Sequence, residues 1–186
     1  MLEPDFVRID GVSGAVAPQT GHYVKKLSDL RGLYQDAGAY DALLARGDGV
    51  AYEVQEYRKP GSDLFFGTTT MYPGQVAGEY FMTRGHYHVR PDLGEVYYTQ
   101  RGQGVLLLEN RAGETREVEM TPGSIAFIPP GWAHRSVNTG QEPLVFVWVL
   151  DVEAGNDYAE IPTRGMRRIV VADGGPQVRA NPKHSG

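Results

Sequence analysis

The chain has 186 residues, of which 41% are hydrophobic and 22% charged, with a formal net charge of -5 at pH 7. That length is enough for one domain with a real core, and an acidic balance without a basic patch argues against nucleic acid as a partner. There is no cysteine, which excludes disulfides, thiolate metal sites and cysteine nucleophiles.

The N-terminus, Met1-Leu2-Glu3-Pro4-Asp5, lacks the basic and apolar regions of a secretory leader. The longest apolar runs, such as Leu144 to Leu150, are far too short to cross a bilayer as a helix. A cytoplasmic protein without membrane partners is expected. Ser28-Asp29-Leu30 is a helix-start signal, and Ala39 to Arg46, followed by Gly47, reads as a short helix with a C-terminal glycine.

After Gly49 the pattern changes to short apolar runs punctuated by turn residues; the whole chain holds 24 glycines and 12 prolines. Strands are expected near 49–57, 64–72, 76–83, 86–90, 95–100, 104–109, 115–120, 124–128, 134–138, 144–150 and 167–171. Pro73-Gly74, Arg101-Gly102, Arg111-Ala112-Gly113 and Pro122-Gly123 mark turns between several of them. The regular spacing points to an all-β closed barrel or jelly roll. The expected organisation is one structural domain: an extension with short helices over 1–48, a barrel over 49–171, and a polar, loosely ordered tail over 172–186.

The chemistry is concentrated in Gly85-His86-Tyr87-His88, Glu95 and His134. Residues i and i+2 of a strand share a face, so His86 and His88 can aim at one point. Pro91-Asp92-Leu93-Gly94 reads as a turn, and a tight hairpin would return Glu95 beside the two histidines. His134 must come from a distant strand. Three imidazoles and a carboxylate suit a divalent Fe, Mn, Zn, Ni or Co ion and leave positions open for substrate oxygens. His22 and His184 lie outside this frame and read as bystanders.

Two further features surround that constellation. Thr68-Thr69-Thr70 and Thr83-Arg84-Gly85 offer hydroxyls, a guanidinium and a closely approachable backbone N–H for a phosphate or sugar. Thr68 and Thr70 share one strand face and Thr69 takes the other. Among the 11 tyrosines, Tyr97 stands two residues after Glu95 and shares its inward face. A tyrosine at a barrel mouth can pack on a sugar ring and hydrogen-bond a hydroxyl, but most of the 11 read as core or surface packing; Tyr52 and Tyr158 stand out through a family resemblance.

Thr83 to His88, Glu95-Val96-Tyr97, Gly102-Gln103-Gly104 and Pro129-Pro130-Gly131-Trp132-Ala133-His134-Arg135-Ser136-Val137-Asn138 resemble the two cupin motifs. Within cupins, these segments with Thr68 to Gly74, Gly78-Glu79-Tyr80 and Ala154-Gly155-Asn156-Asp157-Tyr158 resemble the archaeal-type glucose-6-phosphate isomerases, over roughly Tyr23 to Val171. The resemblance implies a cupin barrel and a metal-dependent aldose–ketose isomerase acting on a phosphorylated hexose. It assigns His86, His88, Glu95 and His134 to the metal, with Fe²⁺ favoured over Mn²⁺, Zn²⁺ and Ni²⁺. Thr69, Thr83 and Gly85 match positions that hold the sugar phosphate, and Tyr52, Tyr97 and Tyr158 match residues lining the sugar site. Glu95, with Tyr97 beside it, is the candidate catalytic pair, Glu95 passing a proton between C1 and C2. A direct hydride shift is the alternative route, because a cation holds a carboxylate in its ionised form. A homodimer is implied by the resemblance and by the prevalence of twofold assemblies.

The chain departs from that family at two positions. Asn156 stands where the family often has histidine, and the family also carries a tyrosine near Leu150, where this chain has leucine. Two other readings remain open on the residues alone: a metal-dependent cupin of the dioxygenase or oxidase class, and a non-catalytic cupin that binds sugar phosphate.

Overall fold

A computed structural model describes residues 2–184. Its strands in chain order are β1 (Arg8–Ile9), β2 (Val16–Ala17), β3 (Gly21–Lys26), β4 (Val50–Arg58), β5 (Leu64–Met71), β6 (Gln75–Val76), β7 (Glu79–Tyr80), β8 (Tyr87–His88) and β9 (Glu95–Arg101). There follow β10 (Gly104–Asn110), β11 (Thr115–Met120), β12 (Ile125–Ile128), β13 (Trp132–Asn138), β14 (Leu144–Asp151), β15 (Asn156–Asp157), β16 (Arg168–Ala172) and β17 (Pro176–Ala180). Helices α1 (Ala37–Arg46) and α2 (Ile161–Arg164) and a 3-10 turn over Leu27–Leu30 complete the described elements.

The larger sheet has the order β12-β9-β14-β5-β4-β3 and the smaller one β11-β10-β13, all pairs being antiparallel. The expectation of an all-β jelly roll is met by facing sheets rather than by one continuous ring of hydrogen bonds. β9 shows why. Glu95, Tyr97 and Thr99 are buried while Val96 and Tyr98 are exposed, so the strand presents one face inward and one outward. Leu106, Leu107 and Leu108 of β10 are all buried, because elements cover both faces of that strand. Leu144, Phe146 and Trp148 of β14 complete the interior from the opposite sheet.

Helix α1 begins at Ala37 rather than Ala39 because Asp36 caps it, its carboxylate accepting from the Ala39 N–H at 2.8 Å. Gly47 closes the other end, its N–H donating to the Leu44 carbonyl at 3.1 Å. The expected strand over 76–83 is instead β6 and β7, separated by Ala77 and Gly78, which both adopt positive φ (47° and 87°). A strand cannot run through two left-handed residues. The expected strand over 86–90 shortens to Tyr87–His88.

The chain ends hold more sheet than their composition suggests. Within 1–48, β3 pairs with β4 as an edge strand of the larger sheet. Its sequence, Gly-His-Tyr-Val-Lys-Lys, is mostly exposed and ends in two lysines, as suits an edge strand, so it carries little alternation. The β1–β2 hairpin docks through the Val16 N–H, which donates to Gln55 Oε1 at 2.9 Å. Within the expected loose tail, β17 pairs with β16 over five residues. Its polarity hid it, and proline as its first residue suits an edge. Residues 185 and 186 of that tail lie outside the described residues.

Candidate metal centre and its cavity

His86, His88, Glu95 and His134 each offer a ligand atom, and these atoms all lie within 4.8 Å of one another. The four side chains reach that point by a route other than the expected hairpin. β8 pairs with β15, not with β9, and β9 pairs with β12 and β14. The turn after His88 carries the chain across the interior to the other sheet. Glu95 therefore faces the histidines across the interior rather than along a ladder. His134 is directly cross-strand from His86, with backbone hydrogen bonds in both directions of 3.2 and 3.1 Å.

The imidazoles sit close together, with ring centroids 4.4 Å apart for His86 and His134, 5.3 Å for His88 and His134, and 5.8 Å for His86 and His88. His88 is oriented from behind, its Nδ1 lying 2.9 Å from the Leu93 carbonyl. That contact holds the Nδ1 proton and leaves Nε2 as the acceptor a cation needs. Glu95 Oε2 lies 3.2 Å from His88 Nε2 and 3.1 Å from His134 Nε2. The second approach lacks hydrogen-bond geometry: Nε2 of His134, like Nε2 of His86, is buried without a hydrogen-bond partner. Orphaned buried nitrogens converging on a carboxylate are costly, and a divalent cation would satisfy them together. The donor set and its geometry fit such an ion.

The electrostatics agree. Burial, reinforced by the neighbouring imidazoles, drives the His86 pKa well below its usual value, so the ring stays neutral. For Glu95, burial opposes ionisation, but the His134 and His88 contacts outweigh it and hold the carboxyl at about 2. His88 also loses to burial but gains more from Glu95 and the Leu93 carbonyl, so its pKa is raised. The Tyr97 phenol is pushed far up, first by burial and then by Glu95, and stays protonated.

A cavity of about 220 Å³ opens beside His86, Glu95 and His134. Tyr52, Thr69, Thr83, Gly85, Tyr97 and Tyr158 all line it. His88 is buried behind its wall. The threonine register is now explicit. Thr68 and Thr70 donate their hydroxyls outward to the Gly14 and Ser13 carbonyls of the N-terminal segment, leaving Thr69 to face the cavity. Thr83 Oγ1 accepts from the Ser136 N–H at 3.1 Å, so its hydroxyl proton is free to donate inward. Gly85 has φ +73°, and a Cβ there would lie 3.0 Å from Ile161 Cγ2 and 3.1 Å from Arg135 Nε. The conformation favours glycine, and a side chain there would press on Ile161 and Arg135.

Both departures, Leu150 and Asn156, line the same cavity, and Asn156 Nδ2 donates to the Tyr158 hydroxyl at 3.3 Å. Arg84 lies over the Tyr158 ring, 4.9 Å from its centroid. The sequence reading missed Tyr23, Arg58 and Trp148, which also line the cavity. Tyr23 sits on an edge strand without alternation, and nothing marked it among the tyrosines. Trp148 is set by Gly67, where a Cβ would stand 2.5 Å from Trp148 Cζ2, a cross-strand relation invisible before the register is known.

Residues 24–185 match the family model for glucose-6-phosphate isomerase. The chain is 44% identical to a glucose-6-phosphate isomerase of Thermococcus gammatolerans, over 98% of this chain and 97% of that protein. It is 42% identical to the glucose-6-phosphate isomerase of Thermococcus litoralis, over 97% of this chain and 96% of that protein. Among solved structures, an oxalate oxidase aligns with TM-score 0.50 and 15% identity, over 62% of this chain and 58% of that one. The latter likeness shows the cupin fold alone. The chain, with its cupin jelly roll, belongs to the glucose-6-phosphate isomerase family.

Proposed function

We propose that this chain interconverts glucose 6-phosphate and fructose 6-phosphate in the cavity, with His86, His88, Glu95 and His134 holding a divalent cation. The observation that carries the reading is convergence: His86, Glu95 and His134 of the four-residue cluster, and every residue assigned to the sugar phosphate, border one cavity, with His88 buried behind its wall. His86, His88, Glu95 and His134 would hold the ion, which would supply Lewis-acid polarisation of the sugar carbonyl. Thr69 and Thr83 hydroxyls and the Gly85 backbone donate to the phosphate. Tyr52, Tyr97 and Tyr158, kept protonated by burial, donate to sugar hydroxyls and shield the reacting carbons from water.

Glu95 is the base in the proton-transfer route, and Tyr97 holds the oxygen where charge develops. A carboxylate that its histidine neighbours already hold ionised, and that a cation would hold further, is a weak base, and this favours the hydride-shift route as a second reading, in which Glu95 handles only hydroxyl protons. Solvent deuterium appearing at C1 or C2 of the product would establish proton transfer.

The same reading takes the ion as Fe²⁺, with Mn²⁺, Zn²⁺ and Ni²⁺ as substitutes, since nitrogen and carboxylate donors accept them all. It takes the working unit as a cytoplasmic homodimer. Val96, Tyr98, Ile125 and Phe127 form an exposed apolar face on β9 and β12 of the kind a twofold contact buries.

The deciding experiment is anaerobic conversion of fructose 6-phosphate by protein stripped of metal and reloaded with Fe²⁺, Mn²⁺, Zn²⁺ or Ni²⁺. Metal-dependent glucose 6-phosphate is the expected result. Confirmed loading without turnover would leave a sugar-phosphate-binding protein, a reading that Leu150 and Asn156 in the cavity wall favour. Within the isomerase reading, Thr69→Val with Thr83→Val raises KM for fructose 6-phosphate about tenfold or more, since each lost hydrogen bond to a charged group is worth about 1.5–3 kcal/mol. Metal content should not move. Unchanged kinetics would remove both threonines from the phosphate site.

A further inference from the structure

We infer that the chain has a second anion site, separate from the metal cavity, which takes a phosphate group between Arg135 and Lys183. It occupies a cavity of about 280 Å³ bounded by Gln35, Arg135, Thr163, Arg164, Asn181 and Lys183. That is several times the roughly 30 Å³ of a liquid water molecule. None of these residues borders the metal cavity.

Arg135 carries the argument. It is only 2% exposed, and among the described residues it forms no ion pair with a carboxylate. Its one hydrogen bond runs from a terminal guanidinium nitrogen to the Arg84 carbonyl at 2.6 Å, and its Nε is buried without a partner. A buried guanidinium cannot shed its charge, so an unpaired one is expensive unless an anion meets it.

The nearby charges are distributed to suit. Glu109 and Glu160, which might have neutralised Arg135, are both engaged by Arg164 at 2.6 and 3.0 Å. Glu79 is the carboxylate whose charge acts most on Arg135, and it also acts on Lys183; one of its oxygens accepts from the Gln35 N–H at 2.8 Å, the other is buried without a hydrogen-bond partner among the described residues, and burial raises its pKa. Lys183 donates to the Tyr34 carbonyl at 2.7 Å and has further N–H donors to offer. Guanidinium and ammonium together recognise a phosphate by charge and by fork geometry. The Arg135 bond to Arg84 also ties this site to the segment holding Thr83 and Gly85, so occupancy would steady one wall of the metal cavity.

The inference stands whether or not the metal cavity isomerises sugars, and its test keeps the two apart. Inorganic phosphate and, separately, glycerol 3-phosphate are titrated into metal-loaded protein by calorimetry, with crystals soaked in each. The Thr69→Val, Thr83→Val protein removes phosphate donors from the metal cavity. In that background, phosphate should still bind, with density between Arg135 and Lys183. Lys183→Glu and, independently, Thr163→Glu should weaken this binding at least about tenfold, each placing a carboxylate beside the anion. Binding by inorganic phosphate alone marks a free-ion site, and binding by glycerol 3-phosphate as well marks a site for phosphomonoesters. Loss of all phosphate binding in the threonine variant, or affinity unchanged by both glutamate substitutions, would overturn the inference.

Discussion

His134→Ala protein should bind divalent metal more than about a hundredfold more weakly than wild type and lose its turnover, while keeping the jelly roll. Outer partners of metal ligands already cost 10–100-fold when removed, so a direct ligand costs more than about 100-fold. The fold survives because His134 holds β13 through its backbone, paired to Leu108 of β10 and to His86. Alanine retains both pairings. Among the described residues its imidazole Nε2 has no hydrogen-bond partner, so truncation sacrifices packing but leaves no new unsatisfied donor. The stability loss without metal should stay within the ordinary range of about 0.5–3 kcal/mol. Equilibrium dialysis with elemental analysis reads the affinity, and thermal unfolding of stripped protein reads the fold. Stoichiometric metal at wild-type affinity would remove His134 from the ligand set.

Glu95→Gln should have the opposite division of effects: modest on metal, severe on kcat. Glutamine keeps the shape of the side chain and one oxygen, so three imidazoles and a neutral carbonyl still hold an ion, though less tightly. The lost charge matters for chemistry, because a positioned acid–base group contributes about 10²–10⁴ to rate. We expect kcat to fall within that span with KM little changed. Deuterium incorporation from solvent, if present in wild type, should vanish with it. A Glu95→Gln enzyme within a few-fold of wild type would remove Glu95 from proton transfer under either route. His88 supplies an internal check. Glu95 is one of the groups raising its pKa, so the metal-free Glu95→Gln protein should show a lower His88 pKa by NMR titration.

Much of the site was legible because strand geometry is periodic. The i, i+2 spacing of His86 and His88, and the inward pairing of Glu95 with Tyr97, follow from a period of two, and both hold. The placement of Thr69 opposite Thr68 and Thr70 follows from the same rule, but which set faces the cavity does not. The N-terminal segment settled it by accepting hydrogen bonds from Thr68 and Thr70. The hairpin expected between His88 and Glu95 was wrong for a related reason. A turn of Pro, Asp and Gly announces a change of direction, and nothing local says whether the next strand stays in the same sheet.

By itself, then, the amino-acid sequence determined the all-β class, the residue types of the candidate metal cluster, the inward face of β9 and the family. All of these rest on local chemistry or on short periodic patterns. Only the tertiary structure decided that His86 lies cross-strand from His134, that Glu95 reaches the histidines from the opposite sheet, and that Tyr23 and Trp148 border the cavity. It alone showed Arg135 buried with no carboxylate at ion-pair distance among the described residues, bordering one cavity with Lys183, 48 positions further along the chain. Such relations depend on which strands pair and which sheets face each other. Those choices are set by the packing of the whole core, and no short stretch of sequence contains them.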